Sequence, residues 1–64
     1  MNINDLEDFV QLMIEENPGY KNRILNLYTL TSDKIIQNVI DGKEFSREDE
    51  INNCIKSIKK LLNA

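Results

Sequence analysis

Thr29-Leu30-Thr31-Ser32-Asp33 sits in the middle of residues 20–41 and decides how that segment folds. At about 100° per residue, Tyr20, Ile24, Leu27, Tyr28, Thr31, Ile35 and Val39 share one helical face, so the segment reads as a single helix of roughly 22 residues. The central residues point the other way. Threonine and serine are mediocre inside helices and strong at N-caps, Asp33 suits a first turn, and Leu30 falls off the shared face. Read so, the chain breaks at Thr29–Thr31, with one short helix at Asn22–Tyr28 and a second at Ser32–Asp41 closed by Gly42.

Outward from this stretch the pattern is plainer. Upstream, Asn4 is a good N-cap, Glu7 completes a capping box, and Asp5 and Asp8 suit the positive end of a helix. Leu6, Phe9, Val10 and Met13 keep the spacing of one buried face, which Leu12 and Ile14 widen. Pro18 forces Asn17 out of helical geometry, so the helix is expected over 4–16, followed by a Pro18-Gly19 turn. Downstream, Ser46 caps a helix over 46–62. Glu48, Asp49 and Glu50 fill its first turn, Lys56, Lys59 and Lys60 its last turns, and Ile51, Cys54, Ile55, Ile58, Leu61 and Leu62 form its apolar stripe. Phe45 is expected to pack back onto the core, although Glu50 stands where its apolar staple partner belongs.

The fold expectation is all-α: one helical domain over 1–64, a small three-helix bundle with helices at 4–16, 20–41 and 46–62. The alternative has four helices, with a helix-turn-helix at 22–41. In either case Ile35, Ile36, Val39 and Ile40 are expected to face inward. Leu25, Leu30, Ile36 and Ile40 exceed what one buried face needs, which points to deep burial or to a homodimer interface.

Composition narrows the chemistry. A chain of 64 residues with 41% hydrophobic side chains is at the small end of what folds alone, and its single cysteine rules out an internal disulfide. Without histidine there is neither an imidazole base nor an imidazole ligand, and one cysteine cannot build a zinc site. Cys54, between Ile51 and Ile55 on the stripe, reads as a small core residue. The segment from Asp41 to Glu48 fails as a calcium loop, because Val39 falls on a ligand position. No catalytic site, cofactor or metal is expected, and no enzyme. With an acidic start and no apolar run near the ~18 residues of a membrane span, neither a signal peptide nor a membrane association is expected, and the setting reads as cytoplasmic.

Charge is unevenly spread. Residues 1–19 hold five acids and no base, whereas residues 20–64 hold eight bases and six acids, for a net charge of −3. The first helix could therefore offer an acidic face to a basic protein partner.

Residues 19–43 resemble the helix-turn-helix of small phage repressors of the Cro and Xre type. Leu30 stands for the apolar residue of the turn, Thr31-Ser32 for the polar opening of the recognition helix, Ile35 and Val39 for its buried positions, and Gly42-Lys43 for its closing turn. Glu16-Asn17-Pro18-Gly19 matches the preceding turn. The chain departs from the family at Leu25, where alanine is preferred, and at Thr29, where the turn holds glycine. The resemblance implies a DNA-binding transcriptional regulator. On a recognition helix from Ser32, Lys34, Gln37 and Asn38 face outward to contact bases, while Lys21, Arg23, Lys43 and Arg47 flank it to contact phosphates. The other reading is a non-enzymatic interaction module, an inhibitor or adaptor working through the acidic first helix or an apolar groove.

Overall fold

The computed structural model describes residues 3–63 and contains three α-helices: α1 (Ile3–Glu16), α2 (Lys21–Ile40) and α3 (Arg47–Asn63), with a 3₁₀ turn over Pro18–Tyr20. Among the described residues there is no strand. The fold is all-α, as the apolar spacing implies.

α2 is unbroken through Thr29–Ser32. The four-helix alternative is therefore corrected: no helix-turn-helix interrupts residues 22–41. Thr31 turns its hydroxyl back along the helix and donates to the Leu27 carbonyl at 3.1 Å, so the side chain is satisfied without opening a turn. The real helix end lies ten residues on. There Gly42 adopts φ +67°, the Gly42 N–H donates to the Val39 carbonyl (3.2 Å), and the Lys43 N–H donates to the Asn38 carbonyl (3.1 Å). That pair of bonds is a Schellman closure, which a residue free to take positive φ makes inexpensive.

The other boundaries follow their expected chemistry with small shifts. Asn17 closes α1, its backbone N–H and its side-chain Nδ2 both donating to the Met13 carbonyl at 2.9 and 3.1 Å. α1 already includes Ile3, so Asn4 lies inside its first turn rather than at the cap; the cap position falls outside the described residues. Ser46 does cap α3, its Oγ accepting from the Asp49 N–H at 3.2 Å.

One cluster of buried side chains joins the helices: Leu6 and Val10 from α1, Ile24 from α2, and Ile51, Cys54 and Ile58 from α3. Phe9, Met13, Ile14, Leu27, Tyr28, Ile35, Ile55, Leu61 and Leu62 pack around it. Short connections make consecutive helices antiparallel neighbours. α2 has 20 residues and α1 has 14, so α2 outruns α1 by six residues, about 9 Å of helix. The molecule is accordingly elongated, 37 × 19 × 18 Å.

The rotation of the last turns of α2 differs from expectation. Ile35 packs on the core, but Ile36, Val39 and Ile40 are exposed, while Asn38 is half-buried. The phase of a continuous helix is fixed upstream by Ile24, Leu27 and Tyr28, and carrying it forward brings 31, 35 and 38 inward. Only a separate helix would be free to turn Ile36 and Ile40 to the core; Val39 lies at the edge of the face shared by Ile24 and Ile35 and is 53% exposed there. Phe45 is half-buried beside this end and does not join the residues packed on the buried cluster.

Candidate functional site

The polar residues expected to read DNA are spread over the surface, and most are already engaged. Lys34 Nζ lies 3.2 Å from Glu50 Oε2, an ion pair that ties α2 to the first turn of α3. It explains Glu50, which takes an apolar staple position because its carboxylate has a partner across the helix pair. Gln37 Nε2 donates to Asp41 Oδ1 at 3.0 Å, one turn along the same helix. Asn38 turns partly into the molecule and supplies the carbonyl that closes α2. Lys34, Gln37 and Asn38 thus do not form one free outward row.

Of the residues expected on phosphates, Arg23 places its guanidinium 5.9 Å from the centroid of the Tyr20 ring, within cation–π range. Lys21, Arg23, Lys43 and Arg47 are all exposed. They do not gather, because Lys21 and Arg23 open α2 while Lys43 and Arg47 lie beyond its other end.

The surface that does gather is apolar. Leu25, Thr29, Ser32, Ile36, Val39 and Ile40 fall within about 100° of arc on α2. Leu25, Ile36, Val39 and Ile40 are exposed, Ile40 most of all at 71%. The steps from 25 to 29, 32, 36 and 39 alternate four and three residues, the spacing by which one helix meets another in a coiled-coil seam. Asp33 alone among charged residues borders this stripe between Leu25 and Ile40. Comparison with known proteins finds no matching family model, curated protein or solved structure.

A second feature is a shallow groove of about 220 Å³ between α2 and α3, walled by Leu27, Leu30 and Thr31 on one side and Asn53, Cys54 and Ser57 on the other. The Lys34–Glu50 pair closes one end. No α1 residue lines it. Leu30, 58% exposed, forms its rim. Among the described residues no group of His, Cys, Asp or Glu is placed to hold a metal ion, and no helix is long and apolar enough to cross a membrane.

Sequence reasoning flagged the surplus of apolar residues on the middle segment but put Ile36, Val39 and Ile40 on the wrong side. The signal that finds Ile36 and Ile40 is the phase of α2, counted from Ile24 rather than restarted at Ser32; that count leaves Val39 on the inward face, so its exposure was not legible in the sequence.

Proposed function

We propose that this chain is a non-enzymatic helical interaction module whose working surface is the uncovered stripe of α2. The observation that carries the reading is the exposure of Ile36, Val39 and Ile40 together on one side of α2, outside the buried cluster that joins the three helices. Four large aliphatic side chains, with Leu25, present on the order of 400 Å² of apolar surface, in the range of the largest patch on a typical monomer, where such patches are often functional.

The test is site-specific photocrosslinking in the cells that make the protein. A benzophenone amino acid at Val39 should give a discrete adduct that the same group at Asn52, exposed on α3, does not. Adducts that are absent from Val39, or equal from both positions, would overturn the reading.

DNA binding is the second reading, favoured by the exposure of Lys21, Arg23, Lys34, Lys43 and Arg47. Phosphate contacts by those bases would give an affinity that falls steeply with salt. In a mobility-shift titration, Arg23→Ala should weaken all sequences alike. A chain that retards no duplex at low salt is not a DNA-binding protein.

A further inference from the structure

We propose that the occupant of the α2 stripe is a second copy of this chain, laid across it about a two-fold axis; this rests on the reading of that stripe as the working surface. Three observations support a self-partner.

The first is charge. In a symmetric interface every group near the axis meets its own copy, so a like charge there repels. From Leu25 to Ile40 the stripe holds Thr29, Ser32 and aliphatic residues, with Asp33 alone at its border. A neutral, aliphatic face fits another neutral, aliphatic face.

The second is area. Pairing two stripes removes at most about 800 Å² in total from the four aliphatic side chains of both copies, below the roughly 1,200 Å² of stable interfaces and in the range of weak ones that form as concentration rises.

The third is what the chain lacks alone. Its accessible surface is 4679 Å², whereas a compact monomer of 7.5 kDa exposes about 4,200 Å². Small domains commonly make up such a shortfall by association.

The experiment is sedimentation equilibrium of the full chain from low micromolar to millimolar concentration, alongside Ile36→Glu and Ile40→Glu. The native chain should fit a monomer–dimer equilibrium, and each substitution should raise the dissociation constant roughly 30-fold or more. Leu12→Glu, on an exposed apolar residue of α1, should leave it unchanged. Because both isoleucines are exposed in the single chain, circular dichroism should show undiminished helix. Isotope-filtered spectra of a mixed labelled and unlabelled sample give a readout on the unmutated chain: the Ile36 and Ile40 methyls should show contacts between copies. A chain that stays monomeric across the range, or dimerises with no such contacts, overturns the proposal. The crosslinking test separates this failure from that of the underlying reading, since a Val39 adduct of a mass other than twice the chain's would leave the stripe a docking surface for a different protein.

Discussion

The Leu27 carbonyl oxygen accepts the Thr31 hydroxyl at 3.1 Å and the Cys54 thiol at 3.7 Å, so one atom pins a turn of α2 and touches α3. Cys54 is 4% exposed. A thiol reagent must wait for the helices to open, so Cys54 should react slowly in buffer and at the rate of a free thiol in denaturant; equal rates would show that the α2–α3 contact is loose. Gly42 carries a different constraint. No atom lies within 4 Å of where its Cβ would be, yet its φ of +67° disfavours any side chain. Gly42→Ala should therefore lower the free energy of unfolding by about 1 kcal/mol through backbone strain alone, read from urea denaturation. Gly42→Asn should lose less, because asparagine tolerates the left-handed region.

Among the elements, α1 and α3 were legible because their signals are redundant. Pro18 and Asn17 end the first, Ser46 and three acids open the last, and each carries one apolar stripe whose members are buried or packed on the core, except Leu12 of α1, which is exposed. In α2 the signals conflict. Thr31 is a capping residue type, but its hydroxyl found a carbonyl four residues back, and no local rule decides between those two uses. Packing decided it, since Leu27 and Ile35 on either side both rest on the core. Backbone chemical shifts should therefore be helical without interruption from Leu25 to Val39. A non-helical run at Thr29–Ser32 would restore the two-helix arrangement. The same phase separates two kinds of isoleucine on one helix. Ile24 is fully buried, and Ile24→Ala should cost about 2–5 kcal/mol of stability. Ile36→Ala should change the stability of the dilute monomer by less than about 0.5 kcal/mol. Comparable losses at both positions would mean that α2 is rotated from the placement described.

At the scale of the whole molecule, the phase of α2 sets which of its faces is wet, and among the described residues the greater length of α2 than of α1 adds to that exposure at one end. A third helix closes a bundle only along the length it spans, and beyond α1 the far turns of α2 have α3 as their neighbour and solvent elsewhere. The sequence contains the cause, fourteen helical residues against twenty, but its effect depends on where the chain turns, at Asn17–Tyr20 and again at Asp41–Ser46. Local stability should follow this geometry. In a dilute sample, amide protection should be greatest around Ile24 and Ile58, where all three helices meet, and least over Ile36–Ile40, where opening exposes little that is not already wet. Raising the concentration should then protect Ile36–Ile40 selectively, because a partner on the stripe must leave before those turns can open, while Lys21–Ile24 exchange as before. Uniform protection gained along all of α2 would instead mean that association stabilises the fold globally, and a profile unchanged by concentration would mean that no second copy reaches the stripe.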